Sequence, residues 1–285
     1  MQNTESQLNL LSIDVEDWYL SYDSSQIPVN RWHELPDRVE VGVRVFMQLL
    51  QKHQLTATFF FLGWVARRHP ELVKEIADAG HEIGFHSMLH EMPVKKGPQK
   101  FEQELEEGLD LLQTIAGVRP VSYRAPMFSL CDESRWAIPL LMKHGIRLSS
   151  SYKAFQRING HTAPNAPFCF RKEEQQLIEF PLNRLNLPLL NWVYSGSGYF
   201  RMLPYAAIEH FFSRSSYNMA YFHPRDFDIA VPATPLLPPY RNLMNRTSNS
   251  SSLPKLEKLL TKFNFTSLQN AASGIDCRSL PLIQL

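Results

Sequence analysis

The run Thr56-Ala57-Thr58-Phe59-Phe60-Phe61-Leu62 limits the fold more than any other stretch of this 285-residue chain. It is β-prone along its length and shows no polar alternation, so it reads as a strand buried on both faces. Strands of that kind sit in parallel sheets with helices on each side. The flanking sequence supplies the helices. Residues 37–54 carry Val39, Val43, Phe46 and Leu50 at helical spacing, with Asp37 placed to cap them. Pro70 opens a helix over 71–79 and Gly80 closes it. Another apolar strand follows at 81–85. Pro98 leads into a helix reaching Ala116, with Phe101, Leu105, Leu109 and Leu112 on one face and acids crowding its early turns. A strand at 121–123, a helix over 132–144 and a strand at 146–150 complete a repeating order that predicts an α/β fold.

The rhythm fades over 151–204, where Pro, Asn and Gly are frequent and only 177–180 reads as a strand. This region predicts long loops over the sheet, with 195–201 a flexible turn tipped by an aromatic residue. A helix over 204–214 and a strand over 219–222 follow. Residues 229–239 read as extended and proline-rich, and 247–252 as a Ser/Asn linker. A last helix is expected over 253–263 and a last strand over 265–268. The expectation is one domain spanning 1–285, with 247–285 a C-terminal helix-strand extension.

The strand-like runs end in reactive residues. The first, at 8–13, ends in Asp14-Val15-Glu16-Asp17. The strand at 81–85 runs into His86-Ser87-Met88-Leu89-His90, the next short strand delivers Arg124-Ala125-Pro126, and the strand at 219–222 presents His223-Pro224. In a parallel α/β barrel, chemistry collects at the C-terminal strand ends, so these groups are expected to share one site. Imidazoles four residues apart lie on one face of a helical turn and can grip one cation. Two imidazoles and a carboxylate leave open positions on a divalent ion, the catalytic arrangement. Such an ion polarises a carbonyl and acidifies its bound water. A second carboxylate could take the proton, a separate histidine could protonate a departing amine, and an arginine could keep the base ionised. The set suffices for metal-assisted amide hydrolysis.

Over roughly residues 8–232 the chain resembles polysaccharide deacetylases of the NodB-homology type, carbohydrate esterase family 4. His86-Ser87-Met88-Leu89-His90 matches the family's H-[ST]-x-x-H metal motif. Ala57-Thr58-Phe59-Phe60 before it and Arg124-Ala125-Pro126 after it fall in the family's order, and Tyr221-Phe222-His223-Pro224 matches the last motif. Gly198-Tyr199-Phe200-Arg201 with Leu203-Pro204 is similar to a stretch of the exopolysaccharide-biosynthesis branch. The resemblance implies a distorted, incomplete (β/α) barrel and deacetylation of N-acetylhexosamine units in a polysaccharide or its precursor. It implies Asp14 as base, His223 as acid and Arg124 as the partner of the base. His86, His90 and either Glu16 or Asp17 would ligate a divalent metal, zinc first, with cobalt, nickel or manganese as alternatives. A backbone N–H near Arg124 would help hold the oxyanion. Trp18, Tyr123, Pro126 and Tyr199 would contact the sugar.

The first motif departs from the family pattern, which has two adjacent aspartates. Period-two alternation puts Glu16 on the side of Asp14, whereas Asp17 could swing in if the strand ends at Asp14. The family's usual acid-tuning Asp and Trp motif is missing, leaving Asp226 and Asp228 as groups that could orient His223. Trp18, Tyr19, Tyr22 and Trp32 on the first loop suit either a sugar platform or a local core. Two other readings stay open: hydrolysis of a small cyclic amide or formylated amine, and a carbohydrate-binding relative without catalysis.

A formal net charge of +1 argues against nucleic acid. Cys131, Cys169 and Cys277 are scattered, as reduced intracellular thiols are. The polar start, residues 1–7, lacks the pattern of a signal peptide, and no run approaches the ~18 apolar residues of a membrane span. A cytoplasmic protein is expected, and the sequence leaves its oligomeric state open.

Overall fold

The computed structural model describes residues 7–20, 27–185 and 192–285. Its strands are β1 (Leu8–Val15), β2 (Thr58–Phe61), β3 (Glu82–Phe85), β4 (Ser122–Tyr123), β5 (Leu148–Ser149), β6 (Arg157–Ile158), β7 (His161–Thr162), β8 (Phe168–Lys172), β9 (Gln175–Glu179), β10 (Tyr217–Phe222) and β11 (Leu282–Gln284). Nine form one sheet in the order β10-β1-β2-β3-β4-β5-β9-β8-β11, and β6 and β7 make a small antiparallel hairpin. All neighbours in the large sheet are parallel except β8 and β9. Among the described residues β10 and β11 do not pair with each other, which leaves the sheet open. This is the mostly parallel α/β sheet that the strand and helix order predicts, left open as in the incomplete barrel that the resemblance implies.

The sheet divides the core in two. On β2, Phe59 and Phe61 join the cluster under the helices, while Phe60 points to the other side, with Leu10, Phe128 and Met219. On β1, Leu11, Ile13 and Val15 pack under the helices. Period two therefore turns Asp14 to the face of Phe60. Register then aligns the strand ends. Val15 pairs with Phe61, Phe61 with Phe85, and Phe85 with Tyr123, so Glu16, His86 and Arg124 all follow one row. On the other edge Ile13 pairs with Phe222, which puts His223 level with Asp14.

The long helix Val39–His53 fixes the segment after β10. A Cβ on its Gly42 would lie 1.9 Å from the Pro224 carbonyl oxygen, so only glycine permits this approach. Gly196 is similarly pressed against β10, with its Cβ position 2.0 Å from the Tyr221 oxygen.

Several sequence expectations are corrected here. The expected loops over 151–204 contain β8, antiparallel to β9. The turn at 195–201 is largely helix, Ser197–Met202. Residues 247–252 are not a linker: helix Asn249–Lys262 starts among them, and Asn249 donates to the carbonyls of Arg225, Asp228 and Asn245. An unexpected helix, Pro239–Arg246, precedes it. The strand expected at 265–268 is a single bridge from Thr266 to Leu10, followed by helix Leu268–Ser273. The helix expected over 132–144 is a short turn, Asp132–Ser134, and then Ala137–Lys143. Tyr22 and residues 1–6 lie outside the described residues. No described helix is long and apolar enough to cross a membrane.

Candidate active site

Asp14 and Arg124 form the centre of the site. Arg124 Nη1 donates to Asp14 Oδ1 at 2.6 Å, and both side chains are buried. The guanidinium is clamped on all sides. Its Nη2 donates to Ser150 Oγ at 2.9 Å and its Nε to the Ser150 carbonyl at 3.2 Å. Its faces lie over the rings of Phe60 and Phe128, 4.3 and 4.7 Å from their centroids. A buried carboxylate is costly unless paired, and this pairing answers and aims Asp14.

His86 follows β3. Its Nδ1 lies 2.8 Å from the Arg124 carbonyl, which can only accept, so Nδ1 carries the proton and Nε2 is left as a lone-pair donor. Burial pushes its pKa down to about 4, keeping the ring neutral. The loop to His90 is not the helical turn expected from the spacing. Ser87 and His90 have φ of 73° and 57°, and Ser87 Oγ accepts from the His90 N–H at 3.0 Å. This tight turn still brings the two imidazoles to a centroid separation of 5.3 Å.

Glu16 is fully buried and meets both histidines. Its Oε2 is 3.0 Å from His90 Nε2 and 3.9 Å from His86 Nε2, while Arg225 Nη1 donates to Oε1 at 2.9 Å. Burial alone would raise the Glu16 carboxyl. His90, His223 and Arg225 outweigh it and hold the group well below the usual carboxylate range. Ligand atoms about 2.0–2.3 Å from a tetrahedral ion lie roughly 3.3–3.7 Å apart. Glu16, His86 and His90 each offer one donor atom, all within 4.8 Å of one another. This carboxylate and imidazole set fits a divalent cation.

Asp17 turns away from that group. Its Oδ1 accepts from the Trp18 N–H at 2.7 Å and its Oδ2 from the Arg38 N–H at 2.9 Å. Burial pushes its pKa up to about 7 against those two hydrogen bonds. Of the two acids the sequence left open, the structure brings Glu16 to the histidines and makes Asp17 a loop cap.

His223 closes the site from β10. Its Nε2 faces Glu16 Oε1 at 3.3 Å and Asp14 Oδ2 at 3.9 Å. Behind it, Nδ1 lies 3.0 Å from Ser197 Oγ and 3.4 Å from Asp226 Oδ2, which also accepts from the His223 backbone N–H. Asp226 is fully buried, and burial alone would raise it. His223, Arg201 and Arg225 lower it to about 2. Asp228 is instead paired with Arg38 at 2.5 and 2.8 Å. So Asp226, and not Asp228, backs His223.

Asp14, Glu16, His86, His90, Ser197, His223 and Arg225 share a cavity of about 250 Å³ with Phe128, Tyr221, Leu182, Val193 and Lys153 on its walls. Tyr199 is at this cavity and half exposed. The sequence's expectation of sugar contacts from Trp18 and Tyr123 is corrected. Trp18 is 1% exposed and donates from Nε1 to the Pro36 carbonyl, and Tyr123 is 1% exposed and packs on Phe85 and Phe101. Pro126 is buried in a short turn. The N–H of Arg124 donates to Phe85 and that of Ala125 to Ser151 Oγ, so neither is free for an oxyanion. The sequence reading missed Ser197, Arg201, Arg225 and Lys153. The one signal for Arg225 was its place two residues after His223.

Residues 16–147 match the family model described as polysaccharide deacetylase, and residues 149–273 match one described as Domain of unknown function (DUF3473). Over 112 residues the chain is 33% identical to a peptidoglycan deacetylase of Helicobacter pylori, covering 39% of this chain and 37% of that relative. It is 33% identical over 89 residues to a peptidoglycan-N-acetylglucosamine deacetylase of Bacillus cereus, covering 31% of this chain and 32% of that relative. The chain thus spans about a third of the curated relatives' length. A crystal structure of a polysaccharide deacetylase from Mycobacterium smegmatis shares the fold at TM-score 0.68 and 19% identity, covering 100% of this chain and 96% of that one. Residues 16–147, a little under half of the chain, are thus similar to polysaccharide deacetylases.

Proposed function

We propose that this protein is a metal-dependent hydrolase removing N-acetyl groups from N-acetylhexosamine units of a bacterial polysaccharide or its precursor. One observation carries the reading. A clamped carboxylate, a carboxylate and imidazole group and a backed histidine line the same small cavity. Glu16, His86 and His90 would hold the divalent cation, zinc being the first expectation for this donor set. When bound, such an ion polarises the amide carbonyl and acidifies its water. Asp14, paired with and aimed by Arg124, would take the proton from the attacking water. His223 would deliver a proton to the departing amine through Nε2, with Asp226 and Ser197 holding Nδ1. Tyr199 would flank the sugar at the mouth. An exopolysaccharide substrate and a cytoplasmic setting belong to the same reading, on the sequence grounds given above.

The cavity volume of about 250 Å³ favours a second reading, hydrolysis of a small cyclic amide or formylated amine. Acetate release from N-acetylglucosamine oligomers, with and without chelator, tests the first. Chelator-sensitive release, lost in His223→Ala, is the expected result. No acetate from any oligomer, with a small amide hydrolysed instead, would replace it with the second.

A further inference from the structure

Lys153 stands out among the residues that line the active-site cavity because no acid answers it. The carboxylates on the cavity wall already have arginine partners: Asp14 has Arg124 at 2.6 Å and Glu16 has Arg225 at 2.9 Å. Lys153 makes no ion pair among the described residues. Its Nζ lies 6.0 Å from the Phe155 ring centroid, and apolar Leu182 and Val193 share the wall with it. An ammonium held among such side chains is costly until an anion pairs with it.

The segment that carries Lys153 is also built rather than loose. Its backbone bridges Leu182, its N–H donates to Gln156 Oε1 at 2.5 Å, and Gln156 Nε2 donates to the Phe128 carbonyl at 3.0 Å. Leu182 and Phe128 line the same cavity. The lysine is therefore anchored at the wall of the reaction chamber. Burial also lowers its pKa, as expected for a cation with no acidic partner among the described residues.

We infer that Lys153 forms an anion subsite, so that the N-acetylhexosamine substrate carries a carboxylate or phosphate next to the sugar being deacetylated. This rests on the deacetylase reading and narrows it from acetylated sugars in general to acidic glycans or phosphorylated precursors. A single Lys–anion contact in a partly desolvated site changes relative kcat/KM by about tenfold.

The test compares matched probes. Tetra-N-acetylchitotetraose is neutral, and a hyaluronan tetrasaccharide alternates N-acetylglucosamine with glucuronate. N-acetylglucosamine 1-phosphate against free N-acetylglucosamine tests phosphate as the anion. We expect one anionic probe to be preferred. The anionic-to-neutral ratio of kcat/KM should fall about tenfold in Lys153→Met and return in Lys153→Arg. An unchanged ratio in Lys153→Met overturns the subsite, and the preferred arm tells carboxylate from phosphate. Calorimetric binding of the same probes in chelator, where nothing turns over, separates the two claims. An anion preference abolished by Lys153→Met, without acetate release from any probe, keeps the subsite and removes the deacetylase reading. Acetate release with no anion preference does the reverse.

Discussion

The two halves of the molecule build the site by different means. Residues 8–150 supply Asp14, Glu16, His86 and Arg124 from the ends of parallel strands, where register lines them up, and His90 from the tight turn after β3. Residues 151–285 supply His223 from β10, and then Ser197, Asp226 and Lys153 from a short helix, a turn and a bridged loop. In the proposed mechanism the first half would hold the ligand set and the base. The second half would hold the acid and its backing, and it lines most of the cavity wall. The comparison implies that the cation ligands come from the first half, with Arg225 of the second steadying Glu16, whereas proton delivery and substrate choice depend on the second. His86→Ala and His223→Ala separate the two most sharply. The first should lose both bound metal and acetate release. The second should keep its metal, read by elemental analysis, while kcat falls by about 10²–10⁴. Loss of metal in both variants would break the division.

Much of the first half was legible because strand geometry is local. Period two put Asp14 and Glu16 on one face, and each short apolar run announced where its reactive residue would emerge. Residue type alone did not reveal burial partners. Trp18 on its loop suited a sugar platform, yet its ring is buried and its indole N–H is satisfied by the Pro36 carbonyl. The histidine motif was right in position and wrong in conformation, since left-handed Ser87 and His90 replace the helical turn. The second half was harder to read because its order comes from distant contacts. Ser and Asn at 247–252 look like a linker until the three carbonyls that Asn249 bonds are in place. Lys153 gains meaning only through its bridge to Leu182.

Within the first half, the Asp14–Arg124 pair should be the costliest to break. Arg124→Leu leaves a buried carboxylate unpaired and removes a guanidinium sandwiched between Phe60 and Phe128. We expect a loss of about 3–5 kcal/mol in unfolding free energy, measured by denaturant titration. A loss below about 1 kcal/mol would mean that Asp14 is neutral or hydrated once the arginine is gone.

Glu179 marks the seam between the halves. It ends β9, and its Oε1 accepts from the N–H groups of Ser151 and Tyr152 at 2.6 and 2.9 Å. Burial pushes its pKa up to about 7 despite those bonds. A raised folded-state value means that folding favours the protonated form. Its contribution is therefore complete below the ordinary value near 4.5 and fades as pH rises through 7. Glu179→Gln should be more stable than wild type at pH 8 by up to about 3 kcal/mol, with the gap closing near pH 5. A gap of the same size at both pH values would place the effect in packing instead.

The smallest expected effect tests how far the second half tunes its own acid. Asp226 and Asp228 are both buried and two residues apart, but only Asp226 meets His223, while Asp228 meets Arg38. Asp226→Asn keeps the side-chain shape and an oxygen for the His223 backbone N–H, but loses the charge behind Nδ1. It should lower kcat by about tenfold with little change in KM, since the histidine remains present and less well oriented. Asp228→Asn should act on stability through Arg38, with kcat held near wild type. If the two substitutions lowered kcat alike, His223 would be positioned by the whole turn rather than by Asp226. The separate tuning of the acid by the C-terminal half would then reduce to packing against the helix that carries Gly42.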